Sequence, residues 1–298
     1  MFIVKHRKIF FLISAILMMG SLFAFFSYGF NLGTDFRGGS ILEVSFANER
    51  PTVESLNPEL SKLDLGAYTL TPAGDRNFIL KSRELTQADK ENVLAVLSQG
   101  SALEIKEERF SSVGPTVGKE LRTKATVAIS VVSLCIVLFI AFAFRKVSKP
   151  VSSWKYGLAT LIALAHDVAI PTGVFAVWSS FTGAEVDLLF VTALLAILGY
   201  SVHDTIVVFD RVRENLSHSG DAAKDFIGTV GKSVNQTMAR SINTSVTTFL
   251  ALVSLYVFGG DATKNFAFIL LVGIVVGTYS SIFVASPLLV TLERFGKK

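Results

Sequence analysis

A carboxylate, Asp204, interrupts the run Gly199-Tyr200-Ser201-Val202-His203-Asp204-Thr205-Ile206-Val207-Val208-Phe209-Asp210-Arg211, which otherwise reads as membrane-spanning. A charge in hydrocarbon costs about 3 kcal/mol on insertion scales, so an acid kept there points to a proton or ion path. The bland alternative is that the span ends early and leaves Asp204 at the interface. Counted from Leu188 at about 1.5 Å per residue, Asp204 lies about 24 Å along a core of about 30 Å. Its natural partner is Arg240, which opens Arg240-Ser241-Ile242-Asn243-Thr244-Ser245-Val246-Thr247-Thr248. Arg240, Asn243, Thr244 and Thr247 share one helical face. Two consecutive spans run antiparallel, so Asp204 and Arg240 approach the same depth, and a guanidinium beside a carboxylate favours the ionised form. Arg240 alone reads equally well as a membrane anchor. His166-Asp167 is a second candidate, either a proton relay or a structural hydrogen-bonded pair. His203 adjoins Asp204 in sequence but points about 100° away on a helix.

These side chains are carried by long apolar segments. The hydrophobic share of 51% and mean hydropathy of +0.53 exceed those of an ordinary soluble domain. A span needs roughly 20 mainly apolar residues. Six such stretches occur: Ile9–Tyr28, Ala125–Phe144, Tyr156–Phe181, Leu188–Phe209, Ile242–Phe258 and Phe266–Leu292. The first follows Lys5-His6-Arg7-Lys8, but its apolar core is too long for a signal peptide and no small-x-small cleavage site follows, so it reads as a retained anchor. Lys and Arg gather at Lys5, Arg7 and Lys8, at Arg145, Lys146, Lys149 and Lys155, at Arg211, Arg213, Lys224, Lys232 and Arg240, and at Arg294, Lys297 and Lys298. The alternate short loops are poor in base, so both termini are expected in the cytoplasm. The net charge of +4 is mostly this topology signal and does not call for nucleic acid. Cys135, the sole cysteine, lies in a span and excludes an intramolecular disulfide. Gly273 and Gly277 form a GxxxG that permits close helix approach. The segment Arg211–Ala239, with helical stretches such as Ala222–Val230, is expected as an interfacial amphipathic helix or a simple loop.

The expected organisation is a cytoplasmic N-terminus and first span over residues 1–30, an exported domain over 31–124, and five further spans over 125–298. In the exported part, Ile41–Phe46 alternates like a strand. Thr52–Leu63 is weakly helical and broken by Pro58. Tyr68–Leu70 and Phe78–Leu80 flank the turn Pro72-Ala73-Gly74-Asp75. Thr86–Asp89 resembles a capping box, followed by Val93, Leu94 and Leu97 at helical spacing. Leu103–Phe110 returns to strand alternation. The order β-α-β-β-α-β predicts a ferredoxin-like α+β domain. It shows no paired carboxylates, no Ser–His constellation and no glycine-rich phosphate loop, so the chain is not expected to be an enzyme and no cofactor or metal is implied.

Four motifs then carry a family resemblance over the whole chain. Leu32-Gly33-Thr34-Asp35-Phe36-Arg37-Gly38-Gly39-Ser40 and Val113-Gly114-Pro115-Thr116-Val117-Gly118 resemble the segments that leave the first span and re-enter the second in the SecD/SecF family of the RND superfamily. Gly199–Asn215 and Arg240–Thr248 resemble its fourth- and fifth-span motifs. The resemblance implies an accessory subunit of protein export in the bacterial inner membrane, driven by the proton-motive force or a sodium gradient. It implies SecD, the SecYEG channel, YidC and unfolded preprotein as partners. It places ion coupling on Asp204 and Arg240; the reading of the residues themselves adds His166, Asp167, His203, Asn243, Thr244 and Thr247 as candidate relay or support. His203 departs from the pattern, which usually has Asn there. Two other readings remain open at this point, an exporter half for small hydrophobic compounds or lipids and a passive translocon scaffold.

Overall fold

The computed structural model of the chain describes residues 2–145, 151–218 and 225–295. Lys146, Lys149, Lys224, Lys297 and Lys298, used above for orientation, and the start of the Ala222–Val230 stretch lie outside the described residues. The elements in chain order are α1 (Phe2–Lys5), α2 (Arg7–Tyr28), α3 (Thr34–Arg37), β1 (Gly39–Phe46), α4 (Val53–Leu60), β2 (Thr69–Ala73), β3 (Asn77–Ser82) and α5 (Gln87–Leu97). They continue with β4 (Ile105–Val113), α6 (Pro115–Ala143), α7 (Ser153–Thr182), α8 (Leu188–His218), α9 (Phe226–Phe258), α10 (Asp261–Ser280), a π-helical turn (Ser281–Ala285) and α11 (Ser286–Phe295). Among the described residues, six helical segments are long and apolar enough to span a membrane. The chain divides into two compact units, Met1–Asn31 with Val127–Ala184 and Leu189–Lys298, and Leu32–Thr126 with Glu185–Leu188.

The smaller unit is a four-stranded antiparallel sheet in the order β2-β3-β1-β4. Alternation in β1 sends Leu42, Val44 and Phe46 to one face, opposite Leu80 and Phe78 of β3. Leu56 and Leu60 of α4 and Val93 and Leu97 of α5 cover that face and complete one buried cluster. The capping box is present in full: Thr86 accepts from the Asp89 backbone N–H, and the Asp89 carboxylate accepts from the Thr86 backbone N–H. Pro58 does not break α4, because the burial of Leu56 and Leu60 on either side of it holds the helical turn in place. Pro72 and Ala73 belong to β2 rather than to the turn; a proline is tolerated there because β2 is an edge strand. The last strand starts at Ile105 and runs to Val113, three residues past the expected Phe110.

Two of the sequence motifs meet in this unit. Gly38 and Gly39 have φ of +81° and +137°, which side chains rarely adopt. A Cβ on Gly38 would lie 2.7 Å from Pro115 Cα, one on Gly39 2.6 Å from the Ser82 carbonyl, and one on Gly118 2.9 Å from Gly38 N. The chain leaving the first span and the chain entering the second are thus in backbone contact. Pro115 is the first residue of α6, where its missing N–H costs nothing, so this helix begins ten residues before the expected Ala125. The residues between α7 and α8 join the same unit through Gly33 N–H to Val186 O at 2.8 Å, Leu188 N–H to Asp35 Oδ2 at 3.0 Å, and Lys81 with Glu185 at 2.8 Å.

In the larger unit, small residues set the helix contacts. A Cβ on Gly173 of α7 would fall 2.4 Å from Ser21 Cα of α2. On α10, Gly273 faces Ile197 and Gly277 faces Ser201, so the GxxxG seats α10 against α8. The described part of Arg211–Ala239 belongs to the two flanking helices rather than to a separate interfacial helix or a simple loop. The fourth span continues as helix to His218 and the fifth begins at Phe226, so both exceed the expected Phe209 and Ile242 limits. The extensions are joined by Arg211 Nε–H to Gln236 Oε1 at 2.8 Å and by Asn215 Nδ2–H to Ser233 Oγ at 2.8 Å.

Two outcomes follow from this packing. A segment of residues 32–126 should unfold cooperatively in urea, and Phe78→Ala, which empties the centre of its core, should lower its stability by about 3–5 kcal/mol. In the same unfolding experiment, Asp89→Asn should remove part of the acid sensitivity. The Thr86 backbone N–H, followed by the Thr86 hydroxyl and Arg83, holds the Asp89 carboxyl below its ordinary value. Its stabilisation is therefore complete above the ordinary carboxylate range and is lost as pH falls through the lowered value. An unchanged acid limb in the variant would refute that assignment.

Candidate functional site

His166 and Asp167 lie in the middle of α7, the helix whose Gly173 packs against α2, and Asp167 reaches the α8–α10 contact at Ser201 and Gly277. Asp167 is fully buried. Its Oδ1 is 2.8 Å from His166 Nδ1, and its Oδ2 accepts from Ser201 Oγ of α8 and, at 2.6 Å, from Ser280 Oγ of α10. One carboxylate therefore ties three spans. Ser280 is the last residue of α10 before the π-helical turn, where Ser281 Oγ donates to Gly277 O and Ser286 Oγ to Ser281 O. Such turns concentrate at functional sites. His166 is 3% exposed, its ring stacks beside that of Tyr279 at 6.1 Å, and its Nε2 has no hydrogen-bond partner.

Asp204 is also buried, at 3% exposure, but it is not tied in this way. Its Oδ2 lacks a hydrogen-bond partner, as does Ser241 Oγ of α9, which lies within interaction range of the carboxylate without reaching hydrogen-bond geometry. Arg240 is also within electrostatic reach, yet no ion pair within 4.0 Å joins Arg240 to Asp204. The nearest charge-bearing neighbour is His203, whose Nδ1 is 3.9 Å from Asp204 Oδ1 although its side chain is 63% exposed. One turn before Asp204, Tyr200 donates to Ser245 Oγ at 3.1 Å, and Ser245 Oγ meets Thr278 Oγ1 at 2.6 Å. A polar seam thus runs between α8, α9 and α10. The helix continues past Asp204 to His218, so Asp204 does not stand at a helix end.

The face proposed from the sequence points elsewhere. Arg240, Asn243 and Thr247 are exposed on the outside of the membrane unit, and Thr244 is half-buried. Thr244 and Thr247 return their hydroxyls to backbone carbonyls one turn back, at Arg240 and Asn243. The inward residues of α9 are Ser241 and Ser245 instead. Ala196, Gly199 and His203 form a matching exposed strip on α8, and a Cβ on Gly199 would meet nothing within 4 Å. Sequence reasoning did not single out Ser241, Ser245, Thr278 or Ser280, since lone hydroxyl residues are common in spans. Their signal lay in spacing: Ser241 and Ser245 are four apart, and Ser280 lies three beyond Gly277.

Comparison with known proteins fits this architecture. Residues 93–295 match the family described as protein export membrane protein SecD/SecF, C-terminal, and residues 23–49 match the SecD/SecF GG motif. The chain is 40% identical to the protein translocase subunit SecF of Thermobaculum terrenum, over 98% of this chain and 94% of that protein. It is 38% identical to the protein translocase subunit SecDF of Brucella abortus, over 92% of this chain and 34% of that longer protein. The crystal structure of SecDF from Thermus thermophilus, a translocon-associated membrane protein, superimposes with a TM-score of 0.78 at 33% identity, covering 98% of this chain and 38% of that one.

The two buried acids differ in a measurable way. Asp167→Ala leaves the donors of His166 and Ser201 unpaired, at about 1–3 kcal/mol for each buried group, and leaves Ser280 only its bond to Gly277 O, whereas Asp204→Ala removes no hydrogen bond of its Oδ2. Thermal unfolding in mild detergent should rank Asp167→Ala well below Asp204→Ala. The reverse ranking would refute the tie between the spans.

Proposed function

Since the chain belongs to the SecD/SecF family of protein-export membrane proteins, we propose that it works with SecD as the accessory half of an ion-driven engine assisting preprotein translocation through the SecYEG channel, with YidC as a further neighbour. Both termini then face the cytoplasm, the smaller unit is exported, and the host membrane is the bacterial inner membrane. That unit is read as ferredoxin-like on its element order and its β2-β3-β1-β4 sheet, and it is assigned contact with partners or unfolded polypeptide rather than enzymatic work. The assignment of SecD rests on the relatives in which the two halves share one chain. It is also supported by a polar stripe on a membrane span: Arg240, Asn243 and Thr247 would meet lipid at a cost of several kcal/mol unless a second set of spans covers them.

The observation that carries the coupling role is the unpartnered buried oxygen of Asp204, held beside Ser241 and within electrostatic reach of Arg240. A buried carboxylate with spare acceptor capacity takes up a proton or a sodium ion. The bound cation neutralises it and frees Arg240. Loss of the cation restores the negative charge and draws the guanidinium back. Small movements of α8 against α9 then alternate between the two arrangements, and the membrane potential supplies about 2.3 kcal/mol per charge per 100 mV. His203, at the exposed edge of Asp204, sits where it can modulate that exchange.

Asp204→Asn is nearly isosteric and cannot ionise. It should abolish gradient-stimulated preprotein export in vesicles while leaving assembly with the partner half intact. Arg240→Met should do the same, and Arg240→Lys should keep part of the activity, because the charge survives without the planar fork. If Asp204→Asn assembles and still responds fully to the gradient, the chain is a scaffold and not a coupling subunit.

A further inference from the structure

The coupling reading leaves one buried ionisable pair unused, His166 and Asp167. Asp167 receives donors at both oxygens, from the His166 ring at 2.8 Å and from the hydroxyls of Ser201 and Ser280. With a donor facing each oxygen, the Asp167 carboxyl can serve purely as an acceptor. The His166 proton then resides on Nδ1, and Nε2 of the neutral ring carries a free lone pair. That Nε2 is the buried ring atom without a hydrogen-bond partner. In that arrangement the pair carries one net negative charge inside a span, next to an unused basic nitrogen. Adding a proton at Nε2 turns it into an imidazolium–carboxylate pair of zero net charge, and a neutral, hydrogen-bonded pair is far less costly to bury than a lone ion.

We propose that His166 and Asp167 form a second proton-holding site, with the proton taken from water at His166 Nε2, retained against the Asp167 carboxylate, and returned to water from the same nitrogen. The proposal rests on the ion-driven reading above and names the proton as the ligand of this node. The groups packed around it leave His166 as its proton acceptor. From α8 the facing group is Ser201, with Asp204 three residues further on. From α10 they are Ser280 and Tyr279, whose hydroxyl is donated to Phe10 O at 3.0 Å. From α2 Ser14 approaches Tyr279, while Arg7 and Lys8 stand at the start of that helix. Lys155 lies in the first turn of α7, about 16 Å along it from His166, and donates to Leu292 O of α11, the residue before Glu293. His166 is accordingly the one charge-bearing group acting directly on Asp167. Uptake of the proton strengthens the Nδ1–H bond to Oδ1 and weakens the hold of Oδ2 on Ser201 and Ser280. The node therefore loosens the joint of α8 with α10 one turn from Asp204, beside a π-helical turn able to absorb the shift.

The test is nitrogen NMR of ¹⁵N-histidine-labelled chain in its complex with the partner half, with the His166 signals assigned by difference from His166→Asn. At about pH 9, Nδ1 should be protonated and Nε2 bare; toward about pH 5, Nε2 should gain a proton while Nδ1 keeps its own. Asp167→Asn should abolish that pattern. Signals that stay constant over this range, or that respond to sodium chloride at fixed pH, overturn the proposal. In export assays His166→Asn, which still presents an N–H to Asp167, should lose gradient stimulation and its pH dependence; a wild-type pH profile would also overturn it. If that variant fails to assemble, Asp167→Asn supplies the difference spectrum and the wild-type titration decides. The two readings fail separately: Asp204→Asn should leave the His166 titration in place, so a silent His166 removes only this node, and a gradient-competent Asp204→Asn removes only the coupling assignment.

Discussion

A carboxylate carried into hydrocarbon must find its partners within the protein, and Asp167 shows how far the bundle is arranged to meet that demand. Its three donors come from three different helices. For Ser201 and Ser280 to reach one oxygen, α10 must approach α8 more closely than ordinary side chains allow, and Gly273 and Gly277 make that approach possible. Gly173 does the same between α7 and α2. Without a hydrophobic drive between helices in lipid, such close packing and buried hydrogen bonds are what set the arrangement.

Asp204 is handled in the opposite way. It too is buried, yet it keeps an oxygen without a partner, and the neighbouring Ser241 hydroxyl is equally unsatisfied. An unsatisfied polar pair is unfavourable in a static structure, and such groups concentrate where a site must change state. The inward seam of Tyr200, Ser245 and Thr278 is fully bonded. The outward stripe of Arg240, Asn243 and Thr247 has no cover within the described residues of this chain. Tied and poised groups thus lie where α8 meets its neighbours, and the uncovered ones on the outer face of α9.

In the smaller unit the controlling feature is backbone proximity. The two glycines that end the first connection have positive φ and lie against Pro115 and Gly118, where the second span begins. Any side chain there would push apart the segments that leave and re-enter the membrane. What reads along the chain as two distant motifs is therefore one contact.

The sequence alone determined the six spans, the split order of strands and helices in the smaller unit, the capping box at Thr86, and the identity of the two buried acids. Each of these rests on local information: hydropathy over a window, a period of two or of 3.6, or a residue type whose cost in lipid is large wherever it sits. Helix ends were less legible, as Pro115, His218 and Phe226 show, because a helix may continue past the membrane when its polar extension finds a partner such as Gln236. The sequence placed Arg240, Asn243, Thr244 and Thr247 on one face correctly but could not say which way that face points. Only the tertiary structure decided that Ser241 and Ser245 look inward, that Asp167 is satisfied by Ser201 and Ser280, and that Asp204 is not. Those facts depend on the rotation and spacing of helices brought together from distant parts of the chain, which a periodic pattern within any single helix does not encode.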